Sequence, residues 1–254
     1  MAEIIRIPSD GDTIDGQFVL GPEIGRGGYG IVFEARQIGV ERRVAVKMLL
    51  PRALEHQRDV VERFAREARL ASSLTHRNAV TIYAFGVYKD DSGKAGLPYI
   101  AMEFLEGYSL QDYLTEVGTL PTDEVGSVLK DILLVLDEAH QKGIIHRDLK
   151  PANIFFHEQP GEDRTVKVLD FGIAMAVTAD WSEENRQRLT ETGLVTGTAE
   201  YMAPEQALGS QQFTPAIDVY ALGCLGYQML TGRFPFSGSN PVEIAIKHIY
   251  EPIP

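Results

Sequence analysis

His146-Arg147-Asp148-Leu149-Lys150-Pro151-Ala152-Asn153 holds a carboxylate, an ammonium and a carboxamide within one short stretch. An aspartate can accept a hydroxyl proton, a lysine can stabilise a phosphoryl group in transfer, and an asparagine can hold a metal ion through its carbonyl oxygen. Asp148, Lys150 and Asn153 together suit phosphoryl transfer. That chemistry also needs a phosphate cradle, a second cation and a second metal ligand.

Upstream, Gly25, Gly27 and Gly30 give Gly-x-Gly-x-x-Gly. Glycines let backbone N–H groups approach phosphate oxygens closely. The bland alternative is a glycine-rich hairpin turn, and the main rival is a dinucleotide-binding turn, which expects a helix next and an acid about 20 residues on. Here Ile31-Val32-Phe33-Glu34-Ala35 follows, a β-type run, which favours strand–glycine loop–strand. Val44-Ala45-Val46-Lys47 reads as the next strand. A lysine in an apolar run is costly unless it is paired or near an edge. Residues 58–74 read as a helix whose apolar face carries Val60, Phe64, Glu67, Ala71 and Leu74. Glu67 is thus the carboxylate that asks for a cation, and Lys47 is available; Glu62 fits a solvated helix glutamate.

Val80–Tyr88 alternates and Tyr99–Phe104 reads as another strand, broken at Glu106-Gly107. Helical patterns then dominate, with Leu110–Val117 and a longer helix from Val125 to Lys142 bracketed by Pro121 and Gly143. Val128, Ile132, Val135, Leu136 and Ala139 form the apolar face of the longer one. Ile154–Phe156 and Val166–Leu169 read as paired strands, and Asp170-Phe171-Gly172 ends the second, placing an acid where it can reach a metal. Ile173–Ala203 has no clear period and carries Thr190, Thr192, Thr196 and Thr198. Long aperiodic segments in compact domains are usually functional. A phosphate there would add roughly −1.5 to −2 charge and could pair with Arg147; ordinary polar-loop hydroxyls are the alternative. Asp218–Leu230 reads as a buried helix that Asp218 can cap, and a last helix runs from Pro241 to Ile249.

The bulk numbers suit one large domain or two lobes sharing a cleft. The chain has 254 residues, 44% hydrophobic and 24% charged, enough for a real core. A net charge of −12 argues against a nucleic-acid binder. The single Cys224 makes no internal disulfide and reads as a core thiol in a reducing compartment. No signal peptide is visible and no apolar stretch approaches the ~18 residues of a membrane span, so the expected location is cytoplasmic, either as a free protein or as the cytosolic part of a longer membrane-anchored one.

The set Gly25, Gly27 and Gly30, Lys47, Glu67, His146 to Asn153, Asp170-Phe171-Gly172, Ala203-Pro204-Glu205 and Asp218 resembles the protein kinase family over residues 18–254. Lys150 after Asp148, and Gly197-Thr198 before Tyr201, resemble its Ser/Thr branch. Ala199–Ala207 and Lys247–Pro252 are similar to bacterial eukaryotic-like Ser/Thr kinases, many of them receptor-like with a membrane segment after the kinase domain.

The resemblance implies an α+β, bilobal fold. It places an N-terminal extension at 1–17, a β-rich N-lobe with one main helix at 18–105 and a helical C-lobe at 106–254. The family continues through further helices that supply an arginine partner for Glu205, so the C-lobe is expected to be cut short here.

The resemblance also implies ATP with Mg²⁺, or Mn²⁺ in its place. Ile24, Gly25, Gly27, Gly30, Val32, Ala45, Lys47, Met102, Glu103, Leu105 and Phe155 would surround the nucleotide. Asp148, Lys150, Lys47 and Glu67 would serve catalysis, and Asn153 and Asp170 would bind metal. Thr190 and Thr192 become activation-loop phosphosites, Thr198 a platform residue bonded to Asp148 and Lys150, and Asp218 a brace for the catalytic loop. The expected partners are proteins with Ser/Thr acceptors and a second copy for trans-autophosphorylation. Two other readings stay open: an ATP-binding pseudokinase scaffold, which would usually lack one of Lys47, Asp148 or Asp170, and a small-molecule phosphotransferase, which would lack Ala203-Pro204-Glu205.

Overall fold

Side-chain alternation organises the first part of the chain. The computed structural model describes residues 6–28, 30–54, 60–89, 96–171, 199–210 and 212–254. Thr190, Thr192, Thr198 and Gly172 lie outside the described residues. The chain divides into two compact units, Met1–Thr75 with Val80–Leu105, and His76–Ala79 with Glu106–Pro254.

The first unit is a six-stranded antiparallel sheet of order β1-β2-β3-β4-β6-β5. Its strands are β1 (Thr13–Ile14), β2 (Phe18–Arg26), β3 (Gly30–Gln37), β4 (Arg42–Leu49), β5 (Ile82–Tyr88) and β6 (Leu97–Glu103). Ile31, Phe33, Val44, Val46, Met48, Leu97, Tyr99 and Ala101 join one buried cluster. Successive side chains in a strand point to opposite faces. Val32, Ala45, Lys47, Ile100 and Met102 therefore share the other face, and they are direct register partners across β3, β4 and β6. The strand–loop–strand reading of the glycine stretch holds, since β2 and β3 form an antiparallel pair.

Three details differ from the sequence reading. Residues 1–17 were expected to precede the N-lobe, yet β1 pairs with β2 and Ile14 is fully buried in the sheet's core. The Tyr99 hydroxyl donates to Asp15 Oδ2 at 2.7 Å, fastening this segment; burial, then the Asp15 carboxylate, holds the phenol well above its usual range. Second, β5 does not alternate in burial, because it is the edge strand of the sheet. Third, helix α1 (Val60–Ala71), which packs against β5 and β6, buries Val60, Phe64, Ala68 and Ala71. Ala68 completes the stripe, so Glu67 is half-buried at its edge rather than at its centre, while Glu62 is exposed.

The second unit has a three-stranded sheet, β7 (Gly107–Ser109), β8 (Ile154–His157) and β9 (Thr165–Val168). Its helices are α2 (Leu110–Val117), α3 (Thr122–Gln141), α4 (Pro204–Ala207), α5 (Ala216–Thr231) and α6 (Pro241–Tyr250), with 3-10 turns at Pro151–Asn153 and Ala199–Tyr201. Ser109 caps α2 by accepting from Asp112 N–H, while Asp112 reaches back to Ser109 N–H. Asn240 caps α6 by accepting from Glu243 N–H at 2.9 Å. The expected face of α3 is buried throughout. Helix α5 is apolar on most sides but leaves Val219, Gly223 and Leu230 exposed along one of them, and Cys224 is buried on it, its thiol pushed up to about 12 by burial. Gly107 sits at φ +132°, and a Cβ there would lie 2.0 Å from Phe156 O, so only glycine fits. Among the described residues no helix is long and apolar enough to cross a membrane.

Candidate active site

The candidate catalytic stretch, His146 to Asn153, is held by side chains from elsewhere in the second unit. His146 is fully buried. Its Nε2 lies 2.8 Å from Leu169 O, and a carbonyl only accepts, so Nε2 carries the proton. Nδ1 is then free to accept the Asp148 N–H at 3.3 Å. One histidine thus ties the end of β9 to the backbone of the candidate base.

Asp218 holds the same loop from the other side. Its two oxygens accept the N–H of His146 and of Arg147 at 2.8 Å each, and His140 Nε2 donates at 2.8 Å. Burial opposes ionisation of this carboxyl, but the donors from His140, His146 and Arg147 hold it below its usual value. The bracing role implied by the resemblance is therefore present in the geometry. The capping role is not: helix α5 starts after Pro215 with no side-chain cap, because the Asp218 carboxylate is committed to the loop.

Asp148 and Lys150 meet directly, with Nζ donating to Oδ2 at 2.7 Å and Asp148 only 14% exposed. Asn153 is buried, and its Nδ2 donates to Asp148 O at 2.8 Å and toward Oδ2 at 3.3 Å. With its NH₂ so engaged, the amide presents Oδ1 as its remaining acceptor. Leu169 N–H donates to Asn153 O at 2.9 Å, which places Asp170 beside Asn153 in the chain path. Asp170 itself adopts φ +58°. An amide oxygen and a carboxylate are hard oxygen donors that suit Mg²⁺, so these residues fit the expected ion. Phe155 is half-buried on β8, paired with Ser109 and Lys167. Phe171 packs edge-on to the His146 ring, centroids 4.9 Å apart.

In the first unit, the residues expected around the nucleotide follow the sheet's parity. Gly25 pairs with Val32, Val32 with Lys47, and Ala45 with Met102. Lys47 is half-buried, and a Cβ added at Gly30 would lie 3.7 Å from its Cε and 3.2 Å from Met48 O. Gly30 thus leaves room over the lysine stem. Gly27 N–H donates to Gly30 O at 2.8 Å, closing the tip of the β2–β3 hairpin. Ile24 is 48% exposed, while Leu105 is half-buried. Glu103 N–H donates to Thr81 O at 2.8 Å.

Sequence reading missed several positioning residues. His140 carries no motif signal, since it lies at the solvent-leaning end of an amphipathic helix. Gln206 follows Ala203-Pro204-Glu205, yet its side chain donates to Arg147 O at 2.9 Å and accepts the Ala203 N–H at 3.0 Å. Arg147 adopts φ +68°, and its Nε is buried without a hydrogen-bond partner among the described residues. Local sequence gives no sign of that conformation.

Residues 18–253 match the protein kinase domain family, and the chain belongs to it. It is 41% identical over 244 residues to the serine/threonine-protein kinase pkn3 of Myxococcus xanthus, covering 96% of this chain and 43% of that protein. Against the serine/threonine-protein kinase PknB of Mycobacterium leprae it is 41% identical over 240 residues, 94% of this chain and 36% of that one. Against the serine/threonine-protein kinase PrkC of Bacillus subtilis the identity is 38% over 244 residues, 96% and 35%. The chain therefore spans less than half the length of these bacterial relatives.

Proposed function

We propose that this chain transfers the γ-phosphate of ATP to Ser or Thr hydroxyls of proteins. The observation that carries the reading is the Lys150 ammonium held on Asp148 at 2.7 Å, in a loop whose backbone Asp218 fixes. Asp148 orients the acceptor hydroxyl and takes its proton as the new O–P bond forms and the bond to ADP breaks. Lys150 stabilises the charge on the transferring group. Lys47, steadied by Glu67, grips the α- and β-phosphates, and the N–H groups around Gly25, Gly27 and Gly30 cradle them. Ile24, Val32, Ala45, Met102 and Phe155 would enclose the adenine, with the backbone of Glu103 and Leu105 bonded to its edge. Asn153 Oδ1 and Asp170 would hold Mg²⁺, or Mn²⁺, which when bound neutralises developing phosphate charge.

The regulatory part belongs to the same reading. Phosphates on Thr190 or Thr192 would be received by Arg147, whose buried Nε has no partner among the described residues. Thr198 would bond Asp148 and Lys150 at the substrate platform. A second copy would deliver phosphate in trans, on the cytoplasmic side of the cell.

The test is γ-phosphate incorporation into a generic basic protein and into the chain itself, followed by mass spectrometry of the 172–198 segment. Incorporation by the wild type that disappears in Asp148→Asn is the expected result. Equal incorporation by both would refute the reading.

A further inference from the structure

Helix α6 buries Ile244 and His248 and packs against α4 and the Ala199–Tyr201 turn. His248 is 4% exposed and lies between Tyr220 of α5 and Phe236, with ring centroids 5.6 and 4.8 Å away. Its Nδ1 is 2.7 Å from Tyr220 Oη. Its Nε2 is buried and faces the backbone carbonyls of Ala199 and Glu200, completing a hydrogen bond with neither.

The tautomer follows from these neighbours. Burial, with Cys224 and Glu205 nearby, pushes the Tyr220 hydroxyl up to about 12, so it keeps its proton and can donate to Nδ1. Carbonyls only accept. An unprotonated Nε2 would set its lone pair against theirs, so the neutral ring carries its proton on Nε2, aimed at the turn. Burial holds the imidazole below its usual range, which keeps it neutral despite the pull of those carbonyls. The titratable groups beside the Tyr220 hydroxyl are Cys224 on α5 and Glu205 on α4, and those beside the Tyr201 hydroxyl are Glu200 and Cys224.

The turn at Ala199–Tyr201 is anchored elsewhere by Tyr201, whose hydroxyl donates to Gln228 Oε1 at 2.5 Å. That contact fixes the end of the turn. The turn runs directly into Ala203-Pro204-Glu205, the stretch that precedes Gln206 and its bond to Arg147 O.

We infer that His248, oriented by Tyr220, is a positioning residue that holds the Ala199–Tyr201 turn where a protein substrate binds. The inference rests on the kinase reading above, and it predicts an effect on the acceptor rather than on ATP.

Steady-state kinetics of the full-length protein test it, with ATP and a Ser/Thr acceptor peptide varied separately. His248→Leu should raise the acceptor KM by roughly ten-fold, the scale of one unmet buried polar contact, with the ATP KM unchanged. His248→Gln should restore the acceptor KM to within about two-fold, because its amide places an N–H near the Nε2 position. Tyr220→Phe, nearly isosteric, should also raise the acceptor KM, and it decides the matter alone if His248→Leu fails to fold. An unchanged acceptor KM in the folded variants, or ATP and acceptor KM rising together, overturns the inference. A wild-type protein that phosphorylates no acceptor overturns the kinase reading instead.

Discussion

Asp218 holds Arg147 in a conformation that a side-chain-bearing residue rarely adopts. The Arg147 N–H donates to Asp218 Oδ1 at 2.8 Å, and Arg147 sits at φ +68°. Such left-handed backbone costs about 1–3 kcal/mol, and it persists where surrounding bonds outweigh the cost. Here the bonds are charge-assisted, from a carboxylate that is only 1% exposed. The residue so fixed immediately precedes the candidate base, so the strain sets the direction in which Asp148 leaves the chain.

Asp218→Asn should therefore cost more than a lost surface bond. One amide NH₂ would face backbone N–H donors in a buried site, which predicts a loss of about 2–4 kcal/mol in urea unfolding. The sign with pH follows from the depressed carboxyl. Its stabilisation is complete above the ordinary value of 3.8 and is lost as pH falls through the lower folded-state value. The stability gap between wild type and Asp218→Asn should be constant from neutral pH down to about pH 5 and should narrow below 3.8. A gap that stays constant into strong acid would remove the carboxylate from the account.

Lys150→Met leaves Asp148 without its cation partner. Phosphoryl transfer should fall by about 10²–10⁴-fold in kcat, the range for a positioned catalytic group. The pair is mostly buried, so the carboxylate left unpaired should also lower the thermal midpoint. A kcat within a few-fold of wild type would show that Lys150 only neutralises the aspartate.

Gly107→Ala and Gly126→Ala should act in opposite directions. At Gly107 a Cβ meets Phe156 O at 2.0 Å with φ +132°, so β7 must leave β8, at about 2–4 kcal/mol. Gly126 lies within α3 with nothing inside 4 Å of a new Cβ, so alanine should stabilise the helix by about 0.5–1 kcal/mol. Urea midpoints of the two variants check both signs.

Ile14→Ala probes the start of the sheet. Ile14 is fully buried in the first unit's core, and truncation should cost about 2–4 kcal/mol. Tyr99→Phe, which loses only the bond to Asp15, should cost about 1 kcal/mol. If Ile14→Ala is neutral, residues 6–17 are a detachable extension after all.

The sequence was legible where chemistry and periodicity coincide. Helix α2 was bounded correctly at Leu110 and Val117, because Ser109 and Gly118 punctuate an amphipathic run. The buried face of α3 followed from its apolar spacing. The Asp148–Lys150 contact lies two residues apart, so spacing alone announces it. Contacts between distant residues were less visible. Tyr99–Asp15, His140–Asp218 and Tyr220–His248 each join polar groups far apart in the chain, with no local pattern to mark them. Strand β1 is two residues long, too short for alternation to register. Glu67 was placed on the face of α1, but at a stripe's edge a one-position shift to Ala68 satisfies burial equally well.

The shared sheet face of Val32, Ala45, Lys47 and Met102 has a consequence for how the gene can change. A missense replacement in β4 alters one side chain and leaves every neighbour on its own side. Loss of a single codon between Val44 and Lys47 would invert the parity of the rest of the strand, turning Lys47 toward Val46's companions in the core and Met48 toward the face of Val32, Ala45 and Met102. This strand can drift in chemistry and yet not in length. Descendants of this gene should carry their insertions and deletions between strands, and a one-residue deletion inside β4 should abolish folding where most replacements in it do not.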